Sequence, residues 1–225
     1  MGTRSKLRIG VLASGEGTTL QAILEACGSG QLDADVAVVI SNNSSSGALT
    51  KAKAASVNGV HLSSATHPDP KQLDDAILTA LREARVELVL LAGYMKKVGP
   101  RTLGAYAGRM LNTHPALLPA YGGKGMYGRR VYESVLAAGE VRTGVTVHQV
   151  DGEYDHGAIV AQIQVPILDG DDVERLSARV RAVERTFLVQ TLQALVQGRT
   201  PNNAVEGDAF IPALRASART PHRGR

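Results

Sequence analysis

Short, nearly unbroken apolar runs alternate with stretches whose apolar residues recur at helical spacing, and this alternation constrains the fold more than anything else in the chain. The runs lie at residues 7–14 (Leu-Arg-Ile-Gly-Val-Leu-Ala-Ser), 36–41, 59–62 and 86–92 (Val-Glu-Leu-Val-Leu-Leu-Ala). Between them Leu20, Ile23, Leu24 and Cys27 keep helical spacing, residues 46–57 read as a helix with serine cap candidates, and Leu73, Ile77, Leu78 and Leu81 share one helix face. Strands covered on both faces read as continuous hydrophobic segments, and repeated strand–helix units build a parallel sheet. The expected fold class is α/β, a Rossmann-like, mostly parallel sheet with helices on both faces. Towards the C-terminus the pattern changes. Residues 144–150 alternate as a strand, a short loop follows, and residues 158–165 form a second strand, which predicts an antiparallel C-terminal edge hairpin. Asp171 and Asp172 then open a long helix.

The 225 residues suit one such domain, expected over residues 1–198, followed by a basic, mostly irregular tail at 199–225 that carries Arg215, Arg219, Arg223 and Arg225. No window approaches the roughly 18 uninterrupted apolar residues of a membrane span, and the start has no apolar stretch of signal-peptide length. A cytoplasmic location without a membrane partner is expected. Cys27, the one cysteine, excludes an internal disulfide and reads as a small buried hydrophobe. With scattered histidines beside it, no metal site is expected. The net charge is +4 with a pI near 9.3, yet two Phe and no Trp leave little to stack on bases. The basicity reads as the tail plus an affinity for small anions, and no nucleic-acid partner is expected.

Residues 111–119, Leu-Asn-Thr-His-Pro-Ala-Leu-Leu-Pro, concentrate the chemistry. In an extended segment residues i and i+2 share a face, so Asn112 and His114 converge, while Pro115 and Pro119 fix φ and stop the strand. One side chain can donate to an oxygen and the other can move a proton. Earlier, Gly15-Glu16-Gly17-Thr18-Thr19 joins a strand to a helix, a junction that aims backbone N–H groups at an anion. Leu20 stands where a dinucleotide fingerprint has its third glycine, and residues 41–43 offer no acid for a ribose. A phosphate monoester therefore fits better than NAD, with a plain tight turn as the other reading. Gly93, Tyr94, Met95, Lys96, Lys97 and Val98 follow a strand end, either lining an apolar slot or forming a loop with a core-facing Met and solvated lysines. The glycine-rich residues 122–128 form a lid or a flexible connection. Asp155, in the acidic hairpin loop, is a candidate partner that would raise the pKa of His114. Arg181 and Glu184 are i, i+3 neighbours on the long helix, and spacing alone favours an exposed salt-bridged face over a site.

Taken together, the Gly-rich first turn, Asn112-Thr113-His114-Pro115-Ala116-Leu117-Leu118-Pro119 and the downstream Asp155 resemble the folate-dependent formyltransferases, over residues 7–198. Within them the closest resemblance is to the branch that formylates phosphoribosylglycinamide (GAR) in purine synthesis. The resemblance implies 10-formyltetrahydrofolate as formyl donor, no metal, and Asn112, His114 and Asp155 as the catalytic set. It implies GAR binding by Gly17, Thr18, Thr19 and Glu184, although the family commonly has Asn where Thr19 stands. It assigns Met95, Lys96, Lys97, Val98 and Asn112 to the folate. An arginine that the family often carries before the third helix is missing, and Lys71 is the nearest cation. The implied partners are the two small molecules, with the chain a monomer or homodimer. The formyltransferase of methionyl-tRNA would need an added tRNA-binding domain and the formyltetrahydrofolate hydrolase an added N-terminal domain, for which the chain is expected to have no room. A nucleotide-binding Rossmann-like module would explain the first turn but not Asn112, His114 and Asp155 together.

Overall fold

The computed structural model describes residues 6–201, so residues 202–225, with most of the expected tail and Arg215, Arg219, Arg223 and Arg225, lie outside the described residues. The chain runs β1 (Leu7–Ala13), α1 (Thr18–Gly28), β2 (Ala34–Ser41), α2 (Gly47–Ala54), β3 (Gly59–His61), α3 (Pro70–Glu83) and β4 (Leu88–Leu91). It continues through α4 (Pro100–Ala105), β5 (Met110–His114), α5 (Arg129–Ala137), β6 (Arg142–Gln149), β7 (Ile159–Pro166) and α6 (Val173–Val196). The strands form one seven-stranded sheet in the order β3-β2-β1-β4-β5-β6-β7. Pairs from β3 to β5 are parallel, and β5–β6 and β6–β7 are antiparallel, so the expected edge hairpin is present.

The period of two along each strand divides the core between the two faces of the sheet. Ile9, Val11 and Ala13 of β1, with Leu88 and Leu90 of β4, pack with Leu20 and Ile23 of α1 and with Leu176, Val180 and Leu188 of α6. Leu12, Val89 and Leu91 face the other way, onto Ile77, Leu78 and Leu81 of α3. The same alternation continues through β5, where Met110 joins the α3 side and Leu111 the α6 side. Asn112 and His114 therefore share the parity of Met110, and Thr113 shares that of Leu111.

Helix boundaries follow local chemistry. Ser46 caps α2 by accepting from the Leu49 N–H, and Asp69 and Pro70 start α3. α4 begins at Gly99 without a side-chain cap of its own. Its cap comes from α3, where the buried Asp74 carboxylate accepts from the N–H groups of Arg101 (2.8 Å) and Thr102 (3.0 Å) and from the Thr102 hydroxyl. This cap anchors the end of the segment containing Met95 to Val98. Asp74→Ala should lower the unfolding free energy by about 2–4 kcal/mol, because buried donors lose a charged acceptor. Urea denaturation should read that loss, with faster amide exchange at Arg101 and Thr102.

Candidate active site

The order of the strands places the site. β1 and β4 are neighbours, although the chain leaves β1 for β2 and β3 before returning, and in open α/β sheets such a switch point leaves a crevice beyond the carboxyl ends. Just past β1 the Ser14 N–H donates to the Gly93 carbonyl just past β4 (3.1 Å), and the Ser14 hydroxyl accepts from the Met95 N–H (2.8 Å). The glycine turn and the residue 93–98 segment are thus tied together. A cavity of about 790 Å³ opens there, within the usual range for a small-molecule site. Gly17 caps α1 at φ 68°, and a Cβ added to it would lie 2.7 Å from Ala48 Cα, so glycine is required on both counts. No side chain caps α1, and Gly17, Thr18 and Thr19 line the cavity.

Asn112 and His148 are Cα partners across the antiparallel β5–β6 pair. Asn112 Nδ2 donates to His148 Nε2 at 3.0 Å, while His148 Nδ1 lies 2.8 Å from the Gln149 carbonyl. A carbonyl only accepts, so Nδ1 carries the His148 proton and Nε2 is the acceptor for Asn112. The second Asn112 N–H faces Asp155 Oδ1 over a long 3.5 Å. The β6–β7 loop brings Asp155 back over β5, with its Oδ2 3.4 Å from His114 Nδ1 and accepting from the Gly123 N–H at 3.0 Å. His114 Nε2 lies 2.7 Å from the Tyr121 carbonyl, which fixes a proton on that nitrogen. His114 is 4% exposed and Asp155 11%.

The cavity wall joins this cluster to Met95, Lys96, Lys97, Val98, Gly123 to Gly128, Arg181 and Glu184. Met95 is 54% exposed, so it is not the core-facing residue of the loop reading, whereas Val98 is buried. Glu184 accepts from the Thr113 hydroxyl at 2.7 Å, in place of the exposed ion pair with Arg181 that its spacing allowed. Lys71 sits exposed in the first turn of α3, where its N–H donates to the Asp69 cap, outside the residues that line the cavity. The cations of the wall are Lys96, Lys97, Lys124 and Arg181. His148, the Tyr121 carbonyl and Thr113 were not found from sequence. Only His148 left a signal, as a polar residue in an apolar alternating strand.

Residues 7–192 match the formyl transferase family. The chain belongs to that family. It is 40% identical to the phosphoribosylglycinamide formyltransferase of Haemophilus influenzae over 192 residues, covering 85% of this chain and 88% of the relative. It is 38% identical to the trifunctional purine biosynthetic protein adenosine-3 of Drosophila melanogaster, covering 87% of this chain and 14% of that protein. The crystal structure of glycinamide ribonucleotide transformylase 1 from Symbiobacterium toebii aligns with a TM-score of 0.81 at 39% identity, over 88% of this chain and 91% of that one.

In this formyltransferase the electrostatics differ from the sequence expectation in one respect. Burial is the largest influence on His114 and lowers its pKa below the ordinary imidazole value. Asp155 raises it as expected, helped by the Tyr121 carbonyl, and His148 lowers it, but burial prevails. Burial also pushes Asp155 up, yet the neighbouring His148 and His114 imidazoles and the Gly123 N–H together leave its carboxyl below the usual range. The signs agree at acid pH. The unfolded chain takes up the His114 proton first, and stability falls as pH drops below about 6.5. It falls further as pH drops from the ordinary carboxylate value through that of folded Asp155. Asp155→Asn removes the influence that raises His114, so the imidazole resonance of His114 should titrate at lower pH than in the parent protein, as followed by NMR.

Proposed function

We propose that the protein transfers the formyl group of 10-formyltetrahydrofolate to the amino group of GAR, giving formyl-GAR and tetrahydrofolate in the cytoplasmic steps of purine (IMP) biosynthesis. The observation that carries this reading is the convergence of Asn112, His114 and Asp155 in one cavity, between an uncapped helix start and the Met95 segment. The N–H groups of Gly17, Thr18 and Thr19 receive the GAR phosphate, with Arg181 as the cation in the same wall. Glu184 meets the glycinamide and ribose end. Met95 and Val98 border the folate, and Lys96 and Lys97 meet its carboxylates, with Lys97 Nζ 5.9 Å from the Tyr154 ring centre.

The neutral amine of GAR attacks the formyl carbon, and the carbonyl electron pair moves onto oxygen. Asn112 has one N–H committed to His148, and the second, held loosely by Asp155, turns onto the oxyanion. Before charge develops, burial favours neutral His114. A nearby oxyanion adds to Asp155 as a second negative neighbour and favours the imidazolium. His114 therefore takes the proton leaving the attacking nitrogen as the intermediate forms. It returns a proton to N10 of the folate as the carbon–N10 bond breaks. Tyr121 keeps the Nε2 proton in place, so the proton that moves is the one on Nδ1, beside Asp155.

A formyl-transfer assay with GAR, water and tRNA as competing acceptors tests the reading. Formyl-GAR should be the product, and formate or formylated tRNA in its place would overturn the acceptor. Asn112→Ala should slow turnover on the order of 10²- to 10³-fold with a smaller change in KM, as for a lost oxyanion donor. Turnover near that of the parent enzyme would remove Asn112 from the mechanism.

A further inference from the structure

Thr113 stands between the two residues that converge on the reaction, yet strand parity turns it to the opposite face of the sheet. That face is packed by α6, and the Thr113 hydroxyl donates to Glu184 Oε1 at 2.7 Å. Both residues line the cavity, and Thr113 is 8% exposed. Among the described residues no other side chain hydrogen-bonds the Glu184 carboxylate, and no Arg or Lys forms an ion pair with it. A carboxylate in such a position is costly unless its lone pairs are satisfied. One oxygen is held by Thr113, which leaves the other for donors on a ligand.

We propose that Thr113 is a positioning residue for GAR: its hydroxyl fixes the Glu184 carboxylate so that the second oxygen meets a hydroxyl or N–H donor of the acceptor substrate. The inference rests on the assignment of GAR to this cavity and adds the residue that sets the aim of Glu184. β5 thereby serves both ligands, with alternate side chains directed to opposite faces. Asn112 and His114 act at the formyl group, while Thr113 acts on the acceptor through α6.

The titratable and charged groups around Glu184 are Arg181 and Arg185 on its own helix and Tyr132 on α5. Burial is the largest influence and raises the Glu184 pKa, while the Thr113 hydrogen bond and the two arginines lower it. Burial also pushes the Tyr132 phenol up to about 12, so it stays neutral over the working range. Losing the Thr113 hydroxyl removes one of the influences that favour the charged carboxylate, and the Glu184 pKa should rise.

The test compares Thr113→Val with Thr113→Ser in the full chain. Thr113→Val keeps the shape of the side chain and should raise KM for GAR roughly 10- to 100-fold, the value of a hydrogen bond to a charged group. The kcat value and KM for the folate should stay within about twofold, because the lost contact is made equally in the ground and transition states. The acid limb of kcat/KM for GAR should move to higher pH, and Thr113→Ser should restore both values. A Thr113→Val enzyme with unchanged KM for GAR, or with a fall confined to kcat, would overturn the proposal. Carboxyl-carbon NMR of Glu184 gives a readout independent of turnover: its titration should shift upward in Thr113→Val, and no shift would overturn the hydrogen bond itself. If the parent enzyme makes no formyl-GAR while Glu184 still shifts, the substrate assignment fails, and the proposed role of Thr113 towards GAR fails with it. If the parent makes formyl-GAR but Glu184→Gln leaves KM for GAR unchanged, the positioning role fails while the activity stands.

Discussion

Asn112 and His148 face one another at the strand pair where the sheet changes from parallel to antiparallel, and their side chains meet at 3.0 Å. Because a carbonyl fixes the His148 proton on Nδ1, the amide of Asn112 has one settled orientation: a hydrogen on His148, and the other towards the space shared with Asp155. A one-residue slip between β5 and β6 would send every side chain to the other face of the sheet. The register is held by the apolar parity of Val145 and Val147 against α6, so the packing of the core also aims the donor.

The second dependence is between loops. Asp155 accepts from Gly123, which ties the hairpin loop to the glycine-rich segment, and the Tyr121 carbonyl at the start of that segment holds His114 Nε2. A movement of residues 121–123 would therefore change the contacts of His114 and Asp155 together. Burial lowers the basicity of His114 and the carboxylate opposes it, so the ring responds to a further negative charge nearby. That balance suits a step in which an oxyanion appears and then collapses.

The sheet, its edge hairpin and the convergence of Asn112 and His114 were legible because each follows from periodicity: unbroken apolar strands, alternating strands, and i, i+2 parity. The glycine turn was legible as a strand–glycine–helix junction, to which the structure adds the left-handed backbone of Gly17 and its close approach to Ala48. What stayed hidden depended on register or on backbone atoms. Nothing in a linear string pairs Asn112 with His148, places the Tyr121 carbonyl on His114, or lets Asp74 of one helix cap another. The His114 pKa was read from its charged neighbour alone, and the burial that outweighs it appears only in the packed structure. Lys71 is matched to a missing arginine by nearness in sequence alone, and the cations that line the cavity, in the Met95 segment, the glycine loop and α6, are brought together only by the fold.

The most direct measurement is a double-mutant cycle between Asn112 and His148, read as kcat for formyl transfer to GAR. If His148 acts by orienting the Asn112 amide, His148→Ala slows turnover only through Asn112. The Asn112→Ala/His148→Ala enzyme should then be no slower than Asn112→Ala alone. Losses that multiply in the double variant, or a His148→Ala enzyme with the parent kcat, would contradict it.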